Sequence, residues 1–281
     1  MTIAILLREA TEKLSPDSLA RLDAEILLGH TLEVKRSFLF ANPELEIPLK
    51  RKKEFLRLVR KRSQGEPVAY LVGKQAFWTL DLKVTPSVLI PRPETELLVE
   101  WALELIPEDV PWRIADLGTG SGAIALALAS ERTGCEIHAT DISNQALEIA
   151  RENAQSHHLE NVQLHLGSWT EPLFGSYKLI ASNPPYVSRN DPHMTQGDCR
   201  YEPEIALSPG IDGLSAIRSI VDSAKQYLEM DGWLLLEHGY DQGAEIREIL
   251  QDGGYRGIST RKDLAGLERV SGGQCPSVQD F

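Results

Sequence analysis

An asparagine followed by two prolines and a tyrosine is the most chemically distinctive stretch of the 281-residue chain, Asn183-Pro184-Pro185-Tyr186. It follows a short apolar run, Leu179-Ile180-Ala181-Ser182, which predicts a buried parallel strand. Two prolines fix the backbone and remove its N–H donors, so the carbonyls there are stiff acceptors. With the amide of Asn183 and the flat ring of Tyr186, they predict a clamp for a planar N–H2 group. The plainer interpretation is a turn that only ends a strand.

A glycine-rich loop follows an earlier apolar strand, in the stretch Asp116-Leu117-Gly118-Thr119-Gly120-Ser121-Gly122. Glycines permit a tight turn and let a ligand approach the backbone closely in front of a helix. Asp141 ends the next strand about 20 residues later, where an acid commonly accepts both hydroxyls of a ribose. Loop and acid together predict a cofactor that contains a nucleoside.

The spacing of the loop argues against a dinucleotide. A dinucleotide fingerprint needs G-x-G-x-x-G, and Ala123 occupies the place of its last glycine. Asp116 would repel a pyrophosphate but tolerate the α-amino group and sulfonium of S-adenosylmethionine. We call the stretch Asn183–Tyr186 the Asn183 corner. In an open α/β sheet the glycine loop, Asp141 and this corner all lie at the carboxyl ends of strands, so we expect them to lie close together.

The elements that position these residues begin at Trp112, from which apolar strands alternate with helices. This alternation predicts an α/β fold with a doubly wound, mostly parallel sheet. The predicted strands are 113–117, 136–141, 162–166, 177–182 and 233–237, with a further one near 257–260. The predicted helices are 123–130, 144–154, 216–229 and 244–250. We expect the tail, 271–281, to be loose.

The first 75 residues carry helical periodicity without strand alternation, and a break is predicted at Ser15-Pro16-Asp17-Ser18. A hairpin over 77–89 and the rigid elbow Ile90-Pro91-Arg92-Pro93-Glu94 lead into a helix over 95–105. We therefore predict a helical domain over 1–75, a hairpin and elbow linker over 76–94, and a cofactor-binding domain over 95–281. Arg92 and Glu94 either pair at the surface or form the lip of a substrate cleft.

The last predicted helix of the N-terminal part concentrates positive charge. Residues 50–62 carry a net charge of about +7, in a chain whose formal net charge is −12. One interpretation is a surface that selects an acidic or RNA-bearing partner. The other is a solvated amphipathic helix with Phe55, Leu56 and Val59 facing the core.

Composition limits the classes of function. A hydrophobic content of 42% supports a packed core, and no apolar run reaches the ~20 residues needed to span a membrane. The three cysteines are far apart and no zinc-binding spacing is present, so we expect a reducing cytoplasmic setting and no metal. The net negative charge disfavours stable DNA binding.

Taken together, these motifs resemble the class I S-adenosylmethionine-dependent methyltransferases, and more closely the N5-glutamine methyltransferases of peptide chain release factors. The resemblance covers nearly the whole chain. Besides the loop and the Asn183 corner it is carried by four stretches: Arg21-Leu22-Asp23-Ala24-Glu25, Gly65-Glu66-Pro67-Val68-Ala69-Tyr70, Ile90-Pro91-Arg92-Pro93-Glu94-Thr95-Glu96 and Arg200-Tyr201-Glu202-Pro203.

The resemblance implies a seven-stranded Rossmann-like sheet, S-adenosyl-L-methionine as cofactor, and the glutamine of a release factor's Gly-Gly-Gln motif as substrate. The helical domain would recognise that substrate. By resemblance, Asp116 and the loop Gly118–Gly122 hold the methionyl and ribose parts, and Asp141 the ribose hydroxyls. Trp169 lies by the adenine, and Asn183–Tyr186 hold the glutamine amide. Similar enzymes usually have an acid where this chain has Ser168, so Ser168 or a backbone carbonyl would receive the adenine amino group.

Three other functions stay open on sequence alone. The clamp could hold the exocyclic amino group of adenine, as in a DNA adenine N6-methyltransferase that stacks a flipped base on Tyr186. A glutamine methyltransferase of a ribosomal protein would share every catalytic residue. A non-catalytic protein could bind release factors through its helical domain. The tail also contains Gly272-Gly273-Gln274, which we interpret as coincidence rather than as a weak pseudosubstrate.

Overall fold

The structure, a computed structural model, describes residues 1–14, 19–188, 197–207 and 213–276. The predicted break at Ser15-Pro16-Asp17-Ser18 and the last five residues of the predicted tail lie outside these ranges. The chain divides into two compact units, Met1–Lys74 and Gln75–Phe281.

The first unit is helical and has its own core, in which Ile3, Leu27 and Phe55 are fully buried. Its helices are α1 (Ile3–Leu14), α2 (Ala20–Leu32), α3 (Arg36–Ala41), α4 (Leu49–Ser63) and α5 (Val68–Val72). In α4 the buried residues are Phe55, Leu58 and Val59, spaced three and four apart as one helix face requires. Leu56 is 36% exposed, so the prediction that it faces the core is wrong. It lies about 100° around the helix from Phe55.

A two-stranded sheet follows, formed by β1 (Lys74–Phe77) and β2 (Leu80–Lys83), which confirms the predicted hairpin. The elbow then passes through a 3₁₀ turn, Pro93–Thr95, into α6 (Glu96–Leu105). A carboxylate oxygen of Glu96 accepts a hydrogen bond from the backbone N–H of Trp78 at 2.7 Å. The start of α6 is therefore tied to the turn of the hairpin.

The second unit contains a seven-stranded sheet in the order β5-β4-β3-β6-β7-β9-β8. Its strands are β3 (Arg113–Leu117), β4 (Glu136–Asp141), β5 (Val162–Leu166), β6 (Tyr177–Ser182), β7 (Leu228–Glu237), β8 (Arg256–Lys262) and β9 (Glu268–Gln274). The remaining helices are α7 (Ala123–Glu131), α8 (Asn144–Ser156), α9 (Glu204–Leu207), α10 (Ser215–Ala224) and α11 (Gly243–Asp252). Strands β3 to β7 pair in parallel, and β9 is antiparallel to β7 and β8. The predicted mostly parallel, doubly wound sheet is confirmed.

Helices pack on both faces of this sheet. Along β6, Leu179 joins the core cluster that contains α6 and α7, whereas its neighbour Ile180 joins the cluster that contains α10 and α11. Successive side chains of a strand point to opposite faces, so each strand contributes to both clusters. The central strands β3, β4 and β6 are buried along most of their length, and the carboxyl ends of the parallel strands lie at one edge of the sheet.

The predicted helix over 216–229 ends too late. The observed helix ends at Ala224, and Leu228 already pairs with Tyr177 as the start of β7. Asp231 has a φ of 58°, and the β6–β7 register shifts nearby. This irregular strand start hides the β pattern, which explains why the sequence predicted a longer helix.

The prediction of a loose tail from Ser271 is also wrong. Residues 271–274 belong to β9, which hydrogen-bonds to β7 on one side and β8 on the other. A Cβ atom added at Gly272 would lie 2.5 Å from Leu235 Cδ2, so close packing requires glycine here. The tripeptide Gly272-Gly273-Gln274 is therefore part of the sheet, and the pseudosubstrate interpretation is wrong.

Candidate active site

A cavity of about 400 Å³ lies at the carboxyl ends of β3, β4 and β6. Its size suits a small ligand, and its position is the one at which open α/β sheets bind ligands. Among the predicted site residues, those that line it are Gly118, Gly120, Asp141, Ser168, Trp169, Asn183 and Pro185. The three separate motifs of the sequence thus meet at one cavity.

The glycine loop owes its course to backbone conformations that glycine adopts readily. Gly118, Gly120 and Gly122 have φ values of 73°, 57° and 89°, all in the left-handed region. A Cβ on Gly120 would meet no atom within 4 Å, so this glycine presents bare backbone to the cavity. Gly122 is the N-cap residue of α7, so the N-terminus of this helix follows the loop directly.

Asp116 supports the loop from beneath. Its Oδ2 atom accepts hydrogen bonds from the Thr119 hydroxyl at 2.6 Å and the Ala125 backbone N–H at 3.2 Å. Its Oδ1 atom is buried and has no hydrogen-bond partner among the described residues. Burial raises the pKa of Asp116 to about 7. Asp116 therefore holds the loop and leaves one acceptor unpaired beneath it.

Asp141 connects the loop to the cavity wall. One carboxylate oxygen accepts the Gly120 backbone N–H at 2.9 Å, and the other accepts the Ser143 backbone N–H at 2.8 Å. Burial raises the pKa of Asp141. The carboxylate is half-buried and lines the cavity, and each oxygen can accept a second hydrogen bond. Next to it, Ile142 is 59% exposed and also lines the cavity.

The ring of Trp169 packs against the glycine loop at Gly118. Its backbone has a φ of 45°, and a Cβ on Gly118 would lie 3.1 Å from the Trp169 ring. The backbone carbonyl of Trp169 accepts the Thr140 hydroxyl at 2.8 Å, which fixes this turn. Ser168 lines the cavity, and its backbone N–H contacts a carboxylate oxygen of Glu171 at 3.3 Å.

The Asn183 corner is anchored at both ends. Before it, the Ser182 hydroxyl donates to the Leu117 carbonyl at 2.7 Å. At the corner, Asn183 and Pro185 line the cavity, whereas Pro184 is buried. Behind it, the Tyr186 hydroxyl donates to Glu237 Oε1 at 3.3 Å.

The structure adds two polar side chains that the sequence did not single out. The Asn183 Nδ2 atom donates to the Thr95 hydroxyl at 3.1 Å, and the Thr95 side chain lies close enough to Glu237 to lower the pKa of its carboxyl. Glu237 ends β7 and is 1% exposed. Burial raises its pKa to about 7, and burial next to this carboxylate also raises the pKa of Tyr186. In the sequence, Glu237 directly follows a buried apolar run. An acidic residue at the end of such a strand is the signal that could have identified it as part of the site.

The elbow is held by an ion pair that the sequence also missed. Arg92 donates to Glu202 Oε2 at 2.5 Å, and the backbone N–H of Ile90 donates to Oε1 at 3.1 Å. The ion-pair partner of Arg92 is Glu202, and no ion pair joins Arg92 to Glu94 among the described residues, so the predicted alternative in which these two pair is not observed. Glu202 precedes Pro203, which lines the cavity. The pair therefore joins the elbow to a segment of the cavity wall.

Six predicted site residues stand behind the cavity surface rather than on it, and one of them is the buried Pro184 of the corner. Asp116, Thr119, Ser121 and Gly122 form the interior of the loop, and Tyr186 lies behind the corner. In the described part of the chain, no group of three or more His, Cys, Asp and Glu side chains is arranged to hold a metal ion. No helix in these described ranges has the length and apolar character to cross a membrane.

Comparisons with known proteins agree with this geometry. Residues 6–73 match the family described as PrmC N-terminal domain, and residues 94–197 match the family described as Methyltransferase small domain. The hMettl16 catalytic domain, solved with a MAT2A 3′UTR hairpin, has a TM-score of 0.58 at 16% identity. It covers 84% of this chain and 85% of its own, and shows the methyltransferase fold alone.

Two curated relatives match over nearly the full length. The release factor glutamine methyltransferase of Coxiella burnetii is 49% identical over 94% of this chain and 97% of its own. The one of Vibrio cholerae is 48% identical over 98% of this chain and 97% of its own. The helical first unit, the methyltransferase sheet and these identities show that the chain belongs to the release factor glutamine methyltransferase family.

Proposed function

We propose that the protein transfers a methyl group from S-adenosyl-L-methionine to the side-chain amide nitrogen, N5, of the glutamine in the Gly-Gly-Gln motif of peptide chain release factors. One observation carries this proposal. The glycine loop, Asp141 and the Asn183-Pro185 corner line a single cavity, so a cofactor and an amide can meet there. The relatives' names support the choice of substrate.

The residues present fit the cofactor. Bare backbone at Gly118 and Gly120 would lie along its methionyl and ribose parts, and Asp141 would accept the ribose hydroxyls. Asp116, whose Oδ1 atom has no hydrogen-bond partner among the described residues, lies buried beneath the loop. Its carboxylate would attract the ammonium group of the cofactor from there without touching it. Ser168 and Trp169 would border the adenine. When bound, S-adenosylmethionine supplies a methyl carbon attached to a positively charged sulfur, which makes that carbon electrophilic.

The corner would prepare the amide nitrogen of the substrate. An amide nitrogen is a weak nucleophile because its lone pair is delocalised into the carbonyl. If Asn183 Oδ1 and the Pro184 carbonyl each accept one N–H, they draw electron density towards nitrogen and fix its orientation. No hydrogen bond from a described residue occupies the Pro184 carbonyl. Tyr186 would support the amide plane from behind.

No general base is assigned. The nitrogen becomes strongly acidic only as it gains the methyl group, and its proton can then pass to water. Glu237 is a buried carboxylate that accepts the Tyr186 hydroxyl, but it does not line the cavity. The residues of the corner therefore act by orientation and hydrogen bonding.

We further propose that the helical unit recognises the release factor through α4. Along this helix, Lys50, Lys52, Lys53, Arg57 and Arg60 form no ion pair with any described residue. Nearby in sequence, Phe40, Leu45 and Leu49 are 57%, 46% and 65% exposed. A surface that combines unpaired cations with apolar side chains fits a protein partner with acidic and apolar patches.

Transfer of labelled methyl groups tests the activity. The protein would be incubated with tritiated S-adenosylmethionine and, separately, a release factor, the same factor with its Gly-Gly-Gln glutamine changed to alanine, ribosomal proteins, and a DNA duplex. We expect label only in the unchanged release factor. Label in the alanine variant would contradict the N5 assignment. Label only in ribosomal proteins or DNA would replace the proposal by one of those substrates.

A second experiment tests the role of α4. The double variant Lys52→Glu, Arg57→Glu reverses charge on the basic helix, and Lys13→Glu on α1 is its matched control. We expect the double variant to raise KM for intact release factor about 10-fold, and to leave KM for a short Gly-Gly-Gln peptide unchanged. An equal change with both substrates would contradict recognition through α4.

A further inference from the structure

A row of polar groups runs from the cavity into the protein behind Asn183. The Asn183 amide donates from Nδ2 to the Thr95 hydroxyl at 3.1 Å. Thr95 is 3% exposed, and its side chain lies beside the Glu237 carboxylate, which it can reach as a donor. The Glu237 carboxylate also accepts the Tyr186 hydroxyl at 3.3 Å. A single buried carboxylate is thus connected to both ends of the Asn183–Tyr186 corner.

Counting donors and acceptors gives this row a direction. An ionised carboxylate only accepts hydrogen bonds, and a threonine hydroxyl has one proton to donate. When Thr95 donates that proton to Glu237, its oxygen can only accept from Asn183. The NH2 group of Asn183 must then face Thr95, and the carbonyl oxygen Oδ1 must face away from it.

The direction decides what Asn183 offers a substrate. The two orientations of a side-chain amide have nearly the same shape, so packing alone does not choose between them. Oδ1 facing the cavity accepts an N–H of a glutamine amide. If the NH2 group faced the cavity instead, it would place a hydrogen-bond donor opposite the N–H donors of the substrate amide. The stiff prolines fix the backbone, but they leave this rotation of the Asn183 side chain free.

We infer that Thr95 and Glu237 are positioning residues, which hold Asn183 with Oδ1 towards the cavity and Tyr186 behind it. This inference rests on the proposed function, because it explains how the corner comes to accept an amide N–H. Neither residue lines the cavity, so both act through Asn183 and Tyr186. Outer partners that orient a reacting group in this way commonly change activity about 10- to 100-fold when removed.

The pH dependence of the row follows from the surroundings of Glu237. The groups that face its carboxylate are Thr95, Tyr186, Arg269 on β9 and Glu94 in the elbow. Burial raises the pKa of Glu237 to about 7, against the attraction of Arg269. Once protonated, Glu237 can donate a hydrogen bond to Thr95. Thr95 can then donate to Asn183, and the side-chain amide of Asn183 can rotate so that its NH2 group faces the cavity.

The decisive variant is Thr95→Val, which removes the hydroxyl and keeps the β-branched shape. The Thr95 side chain makes no capping hydrogen bond to α6, so helix stability does not depend on the hydroxyl. Thr95→Ser, which retains the hydroxyl, is the matched control. Rates would be measured with release factor at saturating cofactor, and cofactor affinity by calorimetry.

We expect Thr95→Val to lower kcat about 10- to 100-fold with cofactor affinity unchanged within about twofold, and Thr95→Ser to restore kcat within about threefold. In wild-type protein kcat should rise between pH 6 and 8, and Glu237→Gln should remove this rise. Wild-type kcat in Thr95→Val, or equal loss in Thr95→Ser, would overturn the inference. A wild-type protein that methylates no release factor would instead refute the proposed function, and this result is distinct from either outcome.

Discussion

Glu237 should make the protein less stable while it serves the corner, and Glu237→Gln measures this cost. The carboxylate is 1% exposed, and its Oε2 atom has no hydrogen-bond partner among the described residues. A glutamine has nearly the same shape, keeps an acceptor for the Tyr186 hydroxyl, and can donate to Thr95. It carries no charge, so it is not penalised for being buried.

The size of the effect follows from the pKa of Glu237. Raising it from 4.5 to about 7 corresponds to about 3 kcal/mol between the two protonation states. The folded state holds this proton more tightly than the unfolded chain. Folding therefore gains its full benefit below pH ~4.5 and loses it as pH rises through about 7. At pH 8 we expect Glu237→Gln to be more stable than wild type by about 1–3 kcal/mol, with a smaller difference at pH 6.

Urea unfolding monitored by tryptophan fluorescence is a suitable assay. All five tryptophans lie between residues 78 and 233, so the signal reports the unit Gln75–Phe281 that contains Glu237. Glu248→Gln, at an exposed position on α11, is the matched control and should change stability by less than about 0.5 kcal/mol. A Glu237→Gln variant that is destabilised equally at pH 6 and pH 8 would refute the reasoning, since charge burial would then not govern this position.

Three further substitutions test the site. Asn183→Ala should cost about 2–4 kcal/mol of transition-state stabilisation, measured as kcat/KM for release factor, with cofactor affinity unchanged. Asp141→Asn should weaken cofactor binding in calorimetry by about 10-fold or more, because one acceptor for the ribose hydroxyls becomes a donor. Arg92→Met should lower stability by about 2 kcal/mol in urea, because it leaves the buried Glu202 carboxylate without its ion-pair partner. Unchanged kcat/KM for Asn183→Ala, unchanged cofactor affinity for Asp141→Asn, or unchanged stability for the variant of the Arg92–Glu202 pair contradicts the role given to that residue.

Strands β3 and β6 were predictable because each is a buried, mainly apolar run, whereas β4 and β5 alternate apolar with polar side chains. The bounds of β3, β4, β5 and β6 agree with the predictions to the residue. A strand covered on both faces needs apolar side chains at nearly every position, so it stands out from its polar flanks. The motifs that follow these strands were predictable for the same reason, since the end of a strand places them at the edge of the sheet.

The antiparallel strand β9 was not predictable in this way. Its sequence contains Gly272 and Gly273, and glycine and serine are typical of loops. What holds it in the sheet is pairing on both sides, with β7 and with β8. Such long-range hydrogen bonds leave no local pattern. Thr95 and Glu237 were missed for a similar reason, because they are brought together only by the packing of the elbow against β7.

The contacts of three polar side chains show how the elbow, the 3₁₀ turn and the first residue of α6 are held in place. Arg92 binds Glu202 beside the cavity wall, Thr95 binds Asn183 behind the corner, and Glu96 accepts the Trp78 backbone N–H in the hairpin. The prolines of the elbow limit its backbone freedom, so these three contacts are held at fixed separations. A shift of the elbow would therefore disturb the cavity wall and the Asn183 amide together. Coupling of this kind predicts that Arg92 and Thr95 variants are non-additive in kcat, although their side chains bind different partners.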